Sequence, residues 1–249
     1  MDGMIIESEF KSDGFVLKGV LHLPQNPSPP LVVGSHGLEG SSQSAKQRVL
    51  SSLLTKNGIA FFRFDHRGCG QSQGDFISDT SLEKRTRDYV NAIRHILSLN
   101  KTCNALALFG SSIGGATCIN AWEPLSSMSI HLCGGVFCSA PIKSRTIKNI
   151  PAQANVKRPA LPLRFFKENL LFNLTDKVRL LSHILIFHGD ADAVVPVTNA
   201  YEIYHQAKDP KQLIIHKNGD HQMTSKKDQM QFEIETIAWY LKCFRTFNE

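Results

Sequence analysis

No apolar run in this 249-residue chain approaches the roughly 20 residues that a membrane-spanning helix requires. The opening stretch, Met1-Asp2-Gly3-Met4-Ile5-Ile6-Glu7, has neither a basic start nor a long apolar segment, so no export signal is expected. Six cysteines, at 69, 103, 118, 133, 138 and 243, form no Cys-x-x-Cys pair and sit mostly in or beside apolar segments. That usage argues against a disulfide scaffold and for a reducing cytoplasm. No Lys/Arg run has the form of a nucleic-acid arm, and a net charge of +6 is mild for this length, so nucleic acid is not an expected partner. Linkers, internal repeats and low-complexity segments are also lacking.

What is present suits one sizeable core: 42% of the residues are hydrophobic and 20% charged, and the expectation is a single domain over residues 1–249. Strand candidates recur at 15–23, 31–35, 60–64, 105–109, 135–138, 184–187 and 213–216, with helical patterns between them. Most are short continuous apolar runs, the mark of strands covered on both faces, so the sequence predicts a mostly parallel central sheet with helices on either side. A helix over 45–56 carries Val49, Leu50, Leu53 and Leu54 on one face and stops at Asn57-Gly58. Thr80-x-x-Glu83 reads as a capping box before a second helix. The last helix places Met230, Ile234, Ile237, Leu241 and Phe244 on one stripe, expected to face the core.

Residues 108–115 read Leu-Phe-Gly-Ser-Ser-Ile-Gly-Gly, an apolar run that breaks into Gly-x-Ser-x-Gly. An apolar strand upstream and a helical run downstream, free of Gly and Pro over 116–122, make this a tight turn that lifts Ser112 clear of the sheet. A serine hydroxyl is a weak nucleophile near neutral pH. It needs a base to take its proton and an acid to orient that base. Downstream, the run 184–187 ends in His188-Gly189-Asp190-Ala191-Asp192, and 213–216 is followed by Lys217-Asn218-Gly219-Asp220-His221. Each supplies a candidate where open parallel sheets gather their sites, with Asp190 and Asp192 both eligible as the acid.

Taken together, Gly110-x-Ser112-x-Gly114, Gly189-x-x-Asp192-x-x-Val195-Pro196 and Gly219-x-His221 resemble the triad segments of the α/β-hydrolase superfamily. His36-Gly37 resembles its oxyanion loop. Asp65-x-Arg67-Gly68-x-Gly70-x-Ser72-x-Gly74 resembles the turn after the following strand, in wording closest to serine aminopeptidase-like, monoglyceride-lipase-like and cinnamoyl-esterase-like hydrolases. The resemblance spans nearly the whole chain. It implies an α/β-hydrolase fold of about eight strands with a short cap after the sixth. It also implies Ser112 as nucleophile, His221 as general base and Asp192, which holds the family spacing, as the acid. The backbone N–H groups of Leu38 and Ile113 would form the oxyanion hole. Among the other histidines near strand ends, His36, His66 and His188 precede glycine turns or lie beside them and are read as backbone hydrogen-bonders. Asp65 and Arg67 are read as a network that holds loops, and Cys69 as a small filler in its turn.

The cap falls at about 141–175, where prolines interrupt the periodicity and seven Lys/Arg stand against Glu168 alone. Leu161, Leu163, Phe165, Phe166, Leu170, Leu171 and Phe172 either line an acyl pocket or pack the excursion onto the sheet. The basic residues 143, 145, 148, 157, 158, 164 and 167 either attract an anionic substrate or an anionic lipid surface, or form a solvated face. The leading expectation is a cytoplasmic serine hydrolase acting on a small-molecule ester or acyl substrate, with no metal or organic cofactor. A serine peptidase or amidase is the catalytic alternative, and a binding protein on the same fold the non-catalytic one. Oligomeric state is not legible.

Overall fold

The computed structural model describes residues 3–144, 161 and 163–245. Its frame is one eight-stranded sheet: β1 (Met4–Ser12), β2 (Phe15–Leu23), β3 (Leu31–Ser35), β4 (Ala60–Phe64), β5 (Ala105–Ser111), β6 (His131–Cys138), β7 (Ile184–Gly189) and β8 (Lys211–His216). The order across the sheet is β1-β2-β4-β3-β5-β6-β7-β8. β2 runs antiparallel to both β1 and β4, and every other neighbouring pair is parallel. The helices are α1 (Ala45–Lys56), α2 (Phe76–Asp79), α3 (Leu82–Ser98), α4 (Ile113–Ser126), α5 (Leu163–Asn169), α6 (Thr175–Val178), α7 (Thr198–Gln206) and α8 (Lys226–Arg245).

Alternation along the central strands sorts two cores onto the two faces. Leu31, Val33, Phe62 and Leu108 join the cluster built with α3, α4, α6 and α7. Val32, Phe61, Phe109 and Phe187 join the cluster built with α1 and α8. Strands β3, β4 and β7 are buried along their whole length, which is why they read as continuous apolar runs. Each fully buried Phe contributes about 2–3 kcal/mol by leaving water.

Three sequence expectations are corrected. β1 had no candidate, yet it pairs with β2 across a two-residue turn at Asp13-Gly14, both at positive φ (48° and 88°). That geometry favours Asp-Gly at a hairpin. The cap of α3 is Ser81, whose hydroxyl accepts from Lys84 N at 3.2 Å, and Thr80 instead ends the preceding turn of α2 in extended geometry. On α8, Met230 and Ile234 are each 63% exposed, whereas Ile237 and Leu241 pack partly buried against the core and Phe244 is buried, along with Phe232, Thr236, Trp239, Tyr240 and Cys243. The aromatic rings claim the inward face because they bury more area per residue than Met or Ile.

Of the expected cap, residues 145–160 and 162 lie outside the described residues. Phe165 stacks on Phe76 (ring centroids 5.5 Å apart), and Asn169 Nδ2 donates to Ile77 O at 3.0 Å, so α5 packs on α2. Phe165 and Leu170 are packing residues, whereas Leu171 is exposed. Lys143 pairs with Glu202 and Arg164 with Glu168.

Candidate active site

The parallel strands all end on one edge, and the chemistry-bearing residues sit there. His36 follows β3, Asp65, His66 and Arg67 follow β4, Ser112 follows β5, Asp192 follows β7 and His221 follows β8. Ser112 occupies a turn with φ 57° and ψ −127°, a conformation rare for any residue but glycine, and its N–H donates to Cys138 O at 2.8 Å. The turn is tight enough that a Cβ on Gly114 would run into the carbonyl oxygen of Ser35, which explains a glycine two residues after the serine.

Ser112, His221 and Asp192 are joined in one hydrogen-bonded chain. His221 Nδ1 donates to Asp192 Oδ2 at 2.7 Å, which leaves Nε2 to accept from Ser112 Oγ at 3.1 Å. Asp192 Oδ1 accepts the N–H groups of Val194 and Val195, each at 2.8 Å. Burial would raise the Asp192 carboxyl, but bonds from His188, His221 and Val195 N outweigh it and hold that carboxyl well below the ordinary carboxylate range. The loop bearing His221 is tied down on both sides: Asp220 accepts from Thr224 N at 2.8 Å, and Lys46 Nζ donates to Gln222 O at 2.9 Å. Asp190, the rival acid, lies elsewhere and accepts from Asn218 N.

Gly37 borders the serine, since a Cβ there would lie 3.8 Å from Ser112 Cβ. Ile113 N–H opens α4, where the first helical N–H groups have no intrahelical partner. Neither Ile113 N–H nor Leu38 N–H meets a protein acceptor among the described residues.

Beneath these loops lies a buried polar layer. His36 Nδ1 donates to Gly37 O at 2.7 Å and its Nε2 accepts from His66 N at 3.1 Å, so the ring is neutral with its proton on Nδ1. Burial, then the charge of Arg85, holds His36 far below the ordinary histidine value. His188 donates to Val195 O at 2.8 Å and also faces Asp192 Oδ2 at 3.4 Å. His66 differs from its expected backbone bonding, because its Nε2 meets Ser35 Oγ at 2.9 Å and its Nδ1 lies 3.6 Å from Asp88. Asp65 accepts Ser42 N and Gln71 N, and Arg67 pairs with Asp88 and Asp13, as a loop-holding network does. Burial raises the Cys69 thiol, in keeping with a filler. Asp88 and Arg85 were not singled out in the sequence. For Arg85 the available signal is position, since it shares the helical face of Leu82, Tyr89, Ile93 and Ile96. No group of three or more His, Cys, Asp or Glu among the described residues could hold a metal ion.

An eight-stranded, mostly parallel sheet with a serine on a strained strand-to-helix turn is the architecture of an α/β-hydrolase. The chain belongs to the serine aminopeptidase S33 family, whose sequence profile matches residues 27–183. It is 30% identical over 194 residues to the uncharacterized protein YfhR of Escherichia coli K12, covering 76% of this chain and 62% of that protein's length. The chain thus spans less than two thirds of that relative. Among solved structures, Est1E from Butyrivibrio proteoclasticus with bound ferulic acid superposes with a TM-score of 0.80 at 20% identity, covering 96% of this chain and 99% of that one. The esterase Pf2001 of Pyrococcus furiosus gives a TM-score of 0.75 at 20% identity, covering 96% and 91%. At these identities the likeness is one of fold.

Proposed function

We propose that the chain is a serine hydrolase that cleaves a carboxylic ester through an acyl-enzyme, with Ser112, His221 and Asp192 as its triad. The observation that carries this reading is the unbroken path from Ser112 Oγ through His221 to Asp192, with the N–H groups of Leu38 and Ile113 meeting no protein acceptor among the described residues. Ser112 Oγ attacks the ester carbonyl carbon while His221 Nε2 takes its proton, and Asp192 stabilises the resulting imidazolium. The oxyanion is held by the N–H groups of Leu38 and Ile113. Collapse expels the alcohol, which leaves with the proton from His221, and a water repeats the sequence to release the acid. The serine aminopeptidase label of the family keeps an amide substrate as the second reading. An aminopeptidase needs carboxylates to bind a free amino terminus, and in the described part of the cap Glu168 is already paired with Arg164.

Labelling with a fluorophosphonate, wild type beside Ser112→Ala, tests the nucleophile. Labelling that is lost in the mutant supports it, and a folded wild type that fails to label refutes it. Nitrophenyl esters of increasing chain length, run against aminoacyl nitroanilides, separate ester from amide preference.

A further inference from the structure

Under the His36-Gly37-Leu38 loop lies a charge that the mechanism above does not use. Arg85, on α3, is 1% exposed. Its Nη2 donates to the carbonyl oxygen of His36 and, at 3.4 Å, to that of Gly37. Nε and Nη1 find no hydrogen-bond acceptor among the described residues. Burial works against its charge, Cys69, Asp88 and Cys118 favour it, and Asp88 is already engaged by Arg67. Burying a guanidinium so sparsely partnered is costly, and a well-packed apolar side chain would fill the space without that cost. Packing alone therefore gives no reason for a cation here.

Peptide geometry gives one. Gly37 C=O and Leu38 N–H belong to a single planar trans unit and point in opposite directions. His36 Nδ1 at 2.7 Å, Gly40 N at 3.2 Å and Arg85 Nη2 at 3.4 Å all draw the Gly37 oxygen to one side, which fixes the Leu38 N–H on the other. We infer that Arg85 is a positioning residue for the oxyanion site: it locks the Gly37-Leu38 peptide with its N–H available to the tetrahedral intermediate, and its charge behind the carbonyl strengthens that donor. A cation on the carbonyl side polarises the amide and makes its N–H a better donor, and the low-dielectric interior leaves the effect unscreened. The inference rests on the serine-hydrolase reading.

The test compares wild type, Arg85→Met, Arg85→Gln and Arg85→Lys, each checked by thermal melting, in hydrolysis of p-nitrophenyl butyrate. A trifluoromethyl ketone of the same chain length, which binds as a tetrahedral oxyanion, and butyrate, which does not, serve as inhibitors. Arg85→Met and Arg85→Gln should lower kcat by about 10- to 100-fold with KM nearly unchanged, less than deletion of an oxyanion donor itself. Ketone affinity should fall by the same factor as kcat/KM while butyrate affinity holds, and Arg85→Lys should recover part of the loss. A purely structural role would move both inhibitors together. Either neutral variant retaining kcat within threefold, or losses falling on KM and on both inhibitors alike, would overturn the inference. If neither neutral variant folds, Arg85→Lys decides by the same ketone-to-butyrate ratio. Absence of fluorophosphonate labelling in wild type would instead sink the hydrolase reading itself.

Discussion

Replacing Asp192 by Asn distinguishes the two candidate acids, and the geometry sets the size of the effect. The N–H groups of Val194 and Val195 both point at Oδ1 at 2.8 Å, so the amide oxygen of Asn must stay there. Its NH2 then faces His221 Nδ1, where Asp192 Oδ2 now accepts at 2.7 Å. Two donors cannot face each other, so the imidazole proton is driven to Nε2, and the nitrogen that should accept the Ser112 proton is blocked. A wrong tautomer of this kind costs about 10⁴ in kcat, or about 5.5 kcal/mol. The turn keeps its two backbone bonds, so the melting temperature should stay within about 4 °C of wild type. Asp190→Asn is the control. An amide oxygen can still accept Asn218 N, so kcat should stay within about threefold. The assay is p-nitrophenyl butyrate hydrolysis at neutral pH, with active sites counted by fluorophosphonate titration. Asp192→Asn retaining more than a tenth of wild-type kcat, or Asp190→Asn proving the more damaged, would refute the reasoning.

Two further outcomes concern stability. Burial, then Arg85, lowers His66 to about 3, so the folded protein keeps it neutral while the unfolded chain protonates it below 6.5. The unfolded state therefore binds more protons between those values, and stability falls on acidification through that window. At pH 5, His66 alone accounts for about 2 kcal/mol, or about 4–8 °C in melting temperature, and His66→Gln should flatten that part of the melting curve against pH. On α8, Ile234→Lys should leave the melting temperature within about 2 °C, whereas Phe232→Ala, buried between Phe109 and Phe187, should cost about 3–5 kcal/mol by denaturant unfolding.

The central strands were legible because burial on both faces leaves a continuous apolar run, and the serine turn because only a few residues tolerate its backbone. β1 was not, because only one of its faces packs inward. Glu7, Glu9 and Lys11 alternate with Ile6, Phe10 and Ser12, and so diluted a strand reads as a loop. Met230 and Ile234 keep helical spacing with the stripe but point outward, because periodicity names a face and the larger rings decide which face is buried. Ser112, Asp192 and His221 could be named from their motifs. The layer beneath them could not, because the place of Arg85 on the apolar face of α3 signals burial but does not say which carbonyls and imidazoles it meets. Arg85 depends on β3 and its following loop, and Asp88 on Arg67 and His66, contacts made across nearly 50 and about 20 residues of sequence respectively.

The two donors proposed for the oxyanion belong to the main chain, and that hides them from one kind of experiment. A saturation scan scores positions by side chain, so Leu38 and Ile113 would register as sites with a hydrophobic preference and nothing more. Proline, which has no N–H, is the single amino acid among the twenty that deletes either donor outright. The functional signature of this part of the site would therefore be confined to one column of the mutational matrix, while Ser112 and His221 would stand out across all of theirs.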